Sequence, residues 1–185
     1  GVRGFLEGKT PLMRAADMGK LEAVQWLLDH GADWRKTDSK GETALDAAGR
    51  GREREAAAVL RSWVESHGTA AEKEEMVEHK RYQALIAAAE GGRLDDLQGL
   101  LKHSVIDVNA VPTGLQAPAL CFAAEQGHVD VMAELVGAGA DVDKVGVRGR
   151  FKGKTPLMRA AFRGKVEAVR WLLDHGADWR KTDGE

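Results

Sequence analysis

The sequence is poor in cysteine, in aromatic residues and in long apolar runs. Cys121 is the only cysteine among 185 residues, which excludes an intramolecular disulfide and favours a reducing compartment. No apolar run is long enough for a membrane span, and no signal peptide pattern is present. We therefore expect an intracellular, cytoplasmic protein. The sequence also allows a location in an organelle, because the chain begins within a repeating pattern and a targeting segment could precede it.

An excess of charge of one sign is also missing. The chain has 27 Lys and Arg against 29 Asp and Glu, a net charge of −2, so nothing draws it as a whole toward nucleic acid or membranes. Metal-ligand spacings such as C-x-x-C or H-E-x-x-H do not occur. We expect no metal, no cofactor and no enzymatic activity. Aromatic residues make up only 5% of the chain, while Ala and Leu are abundant, which favours closely packed helices.

What the sequence does contain is a duplication. Residues 1–38, the first copy, return as residues 146–183, the second copy, with 31 of 38 positions identical. Self-similarity of this kind predicts an array of repeats, and an array favours a surface function over a buried chemical site.

A shorter period lies within the longer one. In the first copy Thr10 and Pro11 form a helix start, Gly19 interrupts the pattern, and a second apolar helix ends at Gly31. Five segments share this form: Gly8–Lys40, Gly41–Gly68, Arg81–Gly114, Leu115–Lys152 and Gly153–Glu185.

The segments GKTPLMRAADMGKLEAVQWLLDHGAD and APALCFAAEQGHVDVMAELVGAGADVD resemble the ankyrin repeat, with its period of about 33 residues. The resemblance implies an all-α solenoid of helix-turn-helix repeats with finger loops. One departure is that other residues replace the His of the opening motif in all five copies, so its hydrogen bond between repeats is expected to be absent. The replacements are Met13, Asp46, Ile86, Cys121 and Met158.

The order of the segments predicts two stacks joined by a charged helical linker. The second segment has the degenerate form of a C-terminal cap, and the third has the polar start of an N-terminal cap. Thr69 and Glu72 form a capping box, so a helix is expected from Ala70, running on into the third segment. We expect residues 1–68 to end one ankyrin module (repeats 8–40 and 41–68). Residues 69–80 are the expected linker, and residues 81–185 begin the next module of a tandem array.

Three motifs that resemble catalytic or ligand-binding sites do not meet the requirements of such sites. Gly153-Lys154-Thr155 lacks the glycine that a phosphate-binding loop needs five residues earlier. Asp174 and His175 are adjacent and cannot face each other on a helix, where His175 instead suits the helix C-terminus. Cys121 occupies a packed motif position and is expected to be inert.

Residues 144–165 form a basic cluster with eight cations and no carboxylate. Three interpretations stay open: a solvated face without a partner, a site for an acidic or phosphorylated protein segment, or a site for RNA or anionic lipid. The scarcity of stacking aromatic residues disfavours nucleic acid. The first copy carries less positive charge at the matching positions, since Phe5, Glu7 and Asp17 replace Arg150, Lys152 and Phe162.

The resemblance implies partner binding on a concave groove, through finger loops and the residues before each inter-helix glycine. The expected binding residues are Arg148, Arg150, Phe151, Lys152, Arg159, Phe162, Arg163, Glu125, Gln126, Asp17 and Met18. Trp26 and Trp171 are expected to pack between repeats. Trp34 and Trp179 are expected to pack in the core, and the alternative is that a partly exposed Trp at these positions anchors a partner.

The function expected from these features is a non-catalytic scaffold or adaptor for protein–protein interaction. A second hypothesis is an architectural spacer or assembly subunit of a large complex, because the first and last repeats lack capping neighbours. Self-association through those ends would favour the second hypothesis. Polyanion binding through residues 144–165 is a third.

Overall fold

A computed structural model describes residues 8–39, 41–50, 53–103, 106–112 and 115–183. These ranges contain ten α-helices and one 3-10 turn, Gly149–Phe151, but no β-strand. The fold is all-α, as the sequence predicts. In chain order the helices are α1 (Pro11–Asp17), α2 (Leu21–Asp29), α3 (Ala44–Arg50), α4 (Arg54–His67), α5 (Ala70–Gly91), α6 (Leu94–His103), α7 (Ala119–Gln126), α8 (Val129–Gly137), α9 (Pro156–Phe162) and α10 (Val166–Asp174). The predicted replacements at Phe5 and Glu7 lie outside the described residues.

Threonine caps and proline fix the starts of the duplicated helices. The hydroxyl of Thr10 accepts a hydrogen bond from the Met13 N–H at 3.2 Å, and Pro11 occupies the first helical position of α1. Thr155 and Pro156 do the same for α9. The helix boundaries therefore follow from local sequence.

Residues that replace the motif His make other hydrogen bonds, whereas the absence of the bond that the His itself would make stays a prediction. The Thr10 N–H donates to the Sδ of Met13 at 3.3 Å. The Thr43 N–H donates to Asp46 at 2.9 Å, and the second carboxylate oxygen of Asp46 lies 3.3 Å from His79 Nε2. Asp46 thus serves as a capping residue and as a link from α3 to α5.

The chain divides into two compact units, residues 1–79 with 113–115 and residues 80–112 with 116–185. In the first unit α1 packs against α3 and α2 against α4. Its core is formed by small and aliphatic side chains, joined by Trp34 and by Met76 of α5. In the second unit α7 packs against α9, and α8 packs against both α6 and α10.

Helix α5 is continuous through the predicted linker. The carboxylate of Glu72 accepts from the N–H and hydroxyl of Thr69, at 2.8 and 2.9 Å, which forms the predicted capping box. Met76 and His79 are buried, so one face of this segment belongs to the packed interior of the first unit. The assignment of the two halves to neighbouring modules stays a prediction. None of the described helices is both long and apolar enough to cross a bilayer.

Candidate functional site

A single carboxylate organises the basic cluster. Glu125, near the end of α7, has only 1% of its surface exposed. Its Oε1 accepts from Arg159 at 2.6 Å and from Arg163 at 2.6 and 2.8 Å, while its Oε2 accepts from Arg150 at 3.3 Å. We call these four residues the Glu125 cluster.

Helix periodicity and a turn bring the three arginines together. Arg159 and Arg163 are four residues apart, so both side chains lie on one side of α9. Arg150 belongs to the 3-10 turn, and its carbonyl accepts from the Arg159 guanidinium at 3.2 Å. Arg150 also lies 3.6 Å from Glu90. The side chain of Arg159 is buried.

The cluster keeps Glu125 ionised. Burial opposes its charged form, but hydrogen bonds from Arg163 and Arg159 and the positive charge of Arg150 outweigh burial, so the pKa of Glu125 lies below its usual range. The cluster therefore combines three positive charges with one negative charge at neutral pH. A buried carboxylate of this kind is stable only while its partners remain in place.

Phe151 is a packed residue rather than an exposed fingertip. It is fully buried, its ring centroid lies 4.4 Å from that of Phe122, and the Arg159 guanidinium lies 4.7 Å from its centroid. The expectation that Glu125 presents an exposed side chain is therefore wrong. Phe151 and Arg159, which were expected to bind a partner, are buried as well, and their role in binding stays a prediction. The physical reason is that the 3-10 turn places Phe151 in an apolar cluster, while Glu125 supplies the charge that allows Arg159 to be buried.

Four of the predicted binding residues remain at the surface of the second unit. Phe162 is 74% exposed, and Arg150, Lys152 and Arg163 are also exposed. The guanidinium carbons of Arg159 and Arg163 lie 5.3 and 5.9 Å from the Phe162 ring centroid, within the range of cation–π attraction. We call Arg150, Lys152, Phe162 and Arg163 the Phe162 surface.

The matching surface of the first copy has different chemistry. Asp17 stands in place of Phe162 and accepts from the Lys9 ammonium at 2.7 Å. Met18 stands in place of Arg163 and is 66% exposed. The remaining predicted residues, Gln126 and Arg148, are half-buried. The duplicated framework thus carries one surface with an acidic and an apolar residue, and one that is aromatic and basic.

The tryptophans only partly follow the predictions. Trp34 is 5% exposed, as expected, but Trp179 is 70% exposed. Trp26, expected to pack between repeats, is exposed and stacks on His30 of its own helix with ring centroids 3.8 Å apart. Trp171 is half-buried and stacks on His175 in the same way. The core prediction was therefore wrong for Trp179, and the packing prediction was wrong for Trp26.

Cys121 has no features of a reactive thiol. Its side chain is buried and donates to the Lys144 carbonyl at 3.6 Å. Burial raises the pKa of the thiol to about 12, so almost no thiolate forms at neutral pH.

Sequence reasoning missed that Glu125 and Arg159 form a pair. The sequence does contain a signal for this pair. Glu125 lies two residues before the inter-helix Gly127, and Arg159 lies five residues before the inter-helix Gly164. The ends of the first helices of neighbouring repeats come together in such an array. The sequence analysis also missed His79 as the partner of Asp46, although an acidic side chain at a motif position needs a polar partner nearby.

Comparison with known proteins gives a match to one family model and matches to parts of longer proteins. A family model for ankyrin repeats (3 copies) matches residues 2–71 and 85–183. The chain is similar to the potassium channel AKT1 of rice, with 39% identity over 72 residues, 39% of this chain and 7% of the channel. It is 34% identical over 101 residues to mouse ankyrin repeat and SAM domain-containing protein 6, covering 55% of this chain and 11% of that protein. The chain thus spans about a tenth or less of these relatives.

Proposed function

Since the chain belongs to the ankyrin repeat family, whose repeats are generally protein–protein interaction modules, we propose that it is a non-catalytic scaffold or adaptor. It binds its protein partner through the Phe162 surface. The observation that supports this proposal most is the exposure of a large aromatic side chain, 74% in Phe162, among accessible cations. Aromatic and arginine side chains are the residue types most enriched among strong contributors to protein binding.

The chemistry of the Phe162 surface favours an acidic protein segment with an apolar side chain. Arg150, Arg159 and Arg163 carry three positive charges against the two negative charges of their partners Glu125 and Glu90, and the exposed Lys152 adds another positive charge to the same segment. An acidic side chain of the partner would meet these cations, while an apolar one would cover Phe162. The burial of Phe151 leaves Phe162 as the one aromatic residue of this surface, which disfavours single-stranded nucleic acid, since that ligand is bound by stacking several bases.

The chain itself supplies the variant for a test. Peptides are selected from a random displayed library on the wild-type chain, and their Kd is measured by fluorescence anisotropy. The double variant F162D/R163M gives the second copy the residues Asp17 and Met18 of the first. We expect selected peptides rich in Asp, Glu and apolar residues, with binding to the double variant weaker by about 30-fold or more, the effect of losing one strong aromatic contact.

Two controls separate loss of binding from loss of structure. Phe162→Ala leaves the arginine partners of Glu125 in place. This variant is expected to bind the peptides weakly and to unfold at the same temperature as the wild type. Met18→Ala in the first copy is expected to bind like the wild type. Peptides that bind F162D/R163M as tightly as the wild type, or that lose affinity only with Met18→Ala, would overturn the proposal.

A further inference from the structure

Arg150 is the arginine of the Phe162 surface that lies on a buried ring. Its guanidinium carbon lies 4.8 Å from the ring centroid of Phe151, which is fully buried and packs against Phe122. One face of the guanidinium therefore rests on the protein interior, where cation–π attraction holds it. The side chain is nevertheless 49% exposed, so a partner can reach it. Arg150 is thus oriented before a partner binds, which lowers the entropic cost of a contact with it.

The carboxylates around Arg150 hold it less closely than they hold the neighbouring arginines. Arg159 and Arg163 donate to Glu125 Oε1 at 2.6 Å, the short distance of a charge-assisted hydrogen bond. Arg150 Nε lies 3.3 Å from Glu125 Oε2, and its Nη2 lies 3.6 Å from Glu90 Oε1, too far for a hydrogen bond. A guanidinium can donate two parallel hydrogen bonds to one carboxylate. A carboxylate that approaches Arg150 directly can therefore bind it more closely than Glu90 does.

Glu90 can leave Arg150 at little cost, whereas Glu125 cannot leave its arginines. The Glu90 side chain is 46% exposed, and an ion pair between two accessible groups contributes little to stability. The backbone of Glu90 is held separately, since its carbonyl lies 3.1 Å from His128 Nε2. The side chain can therefore turn into solvent while α5 stays in place. Glu125 is 1% exposed and balances the buried Arg159, so its departure would leave a buried unpaired charge.

We propose that Glu90 is a built-in competitor for Arg150, which an acidic side chain of the protein partner displaces. In the free chain the Glu90 carboxylate faces the Arg150 guanidinium. In the complex the partner's carboxylate takes its place and accepts two hydrogen bonds, while Glu125 keeps Arg159 and Arg163. Glu90 thereby determines specificity, because a neutral side chain of a partner cannot replace a carboxylate beside a cation. The inference rests on the proposed function, since Arg150 belongs to the Phe162 surface.

Removing the charge at position 90 tests the proposal in the whole chain. The probe is a peptide selected on the wild-type chain that carries Asp or Glu, and it is compared with the same peptide carrying Asn or Gln instead. Glu90→Gln removes the competing charge and keeps the size of the side chain. We expect the acidic peptide to bind this variant about 3- to 5-fold more tightly than the wild type, the value of one exposed ion pair. The gain should decrease at high salt, and the amide peptide should bind both chains equally.

Two matched variants separate this competition from a general effect of charge. Glu65→Gln removes one negative charge from an exposed site on α4 and is expected to leave the Kd of the acidic peptide unchanged. Arg150→Gln removes the group for which the two carboxylates compete. In the Arg150→Gln chain, a further Glu90→Gln substitution is therefore expected to have no effect on the Kd. Circular dichroism of each variant checks that the helices persist.

Equal affinity of the acidic peptide for the wild type and for Glu90→Gln would overturn the proposal. The same gain with the amide peptide, with Glu65→Gln or in the Arg150→Gln chain would also overturn it, as would selected peptides without Asp or Glu. Phe162→Ala distinguishes this failure from failure of the proposed function. If Phe162→Ala still weakens binding, the Phe162 surface binds the peptide and only the role of Glu90 is wrong. If Phe162→Ala binds as tightly as the wild type, the proposed surface itself is wrong.

Discussion

At the scale of single residues, Glu125 decides whether the basic segment is structural or free to bind. Its carboxylate holds the buried Arg159 and restrains Arg150 and Arg163, which would otherwise form an unbalanced group of cations. The sequence shows eight positive charges between residues 144 and 165, but the count alone overestimates the accessible charge. The pairing depends on residues 34 positions apart, and for that reason a local inspection of the segment does not reveal it.

Replacing Glu125 by glutamine tests this role. Glu125→Gln keeps the shape but leaves the Arg159 guanidinium buried against a neutral group, so the free energy of unfolding should fall by about 3 kcal/mol, the usual cost of breaking a buried ion pair. Urea denaturation followed by circular dichroism measures the loss. Glu90→Gln, at an exposed partner of Arg150, is the matched control and should change stability by less than about 0.5 kcal/mol. Equal effects of the two variants would contradict the account.

The pH dependence of stability follows from the same group. The pKa of Glu125 is lowered in the folded chain, so its stabilisation is fully present above the pKa of an unfolded glutamate, about 4.3, and is lost as pH falls through the lower folded pKa. The urea midpoint should therefore decrease steadily below about pH 5, and Glu125→Gln should flatten that decrease. Parallel pH profiles for wild type and variant would show that another carboxyl group controls the acid transition. Asp46, whose pKa is also lowered against burial by its bonds to His79 and Thr43, is the next candidate.

At the scale of elements, helix starts and ends were predictable and the packing of α5 was not. Thr-Pro pairs, the capping box and the inter-helix glycines act within a few residues, so the sequence indicates them directly. The charged stretch 69–80 was expected to be a linker between stacks. Its burial of Met76 and His79 depends on contacts with residues more than 30 positions away, such as Asp46, which no local pattern encodes.

The start of α5 provides a prediction at this scale. Thr69→Ala removes the side chain that caps the helix, so we expect the free energy of unfolding to fall by about 1 kcal/mol and amide exchange in residues 70–75 to increase. Ser66→Ala, at an exposed serine whose hydroxyl donates to the Ser62 carbonyl at 2.8 Å, is the control and should change stability by less than about 0.5 kcal/mol. Exchange rates that are unchanged by Thr69→Ala would mean that tertiary packing alone holds this end of the helix.

At the scale of the whole molecule, the duplication shows that identical residues can lie in different surroundings. The ankyrin family and the all-α fold could be predicted from one sequence, because the repeat pattern is written in every segment. The burial of Trp34 and the exposure of Trp179 could not, because the surrounding residues are nearly identical and only the neighbouring helices differ.

Matched tryptophan substitutions measure that difference. Trp34→Ala removes a buried side chain and should lower the free energy of unfolding by about 3 kcal/mol, whereas Trp179→Ala at an exposed site should lower it by less than about 0.5 kcal/mol. Urea denaturation of both variants under identical conditions gives the comparison. Similar losses in the two variants would mean that Trp179 is packed as Trp34 is, against the structure described above.

The central claim is that one copied framework carries two surfaces and that the aromatic, basic one binds the protein partner. The most direct measurement is hydrogen exchange with and without a peptide selected on the chain. The account predicts protection at residues 149–163, around the Phe162 surface, and none at the matching residues 4–18. Protection of both regions to the same degree, or of neither while the peptide is bound, would contradict it.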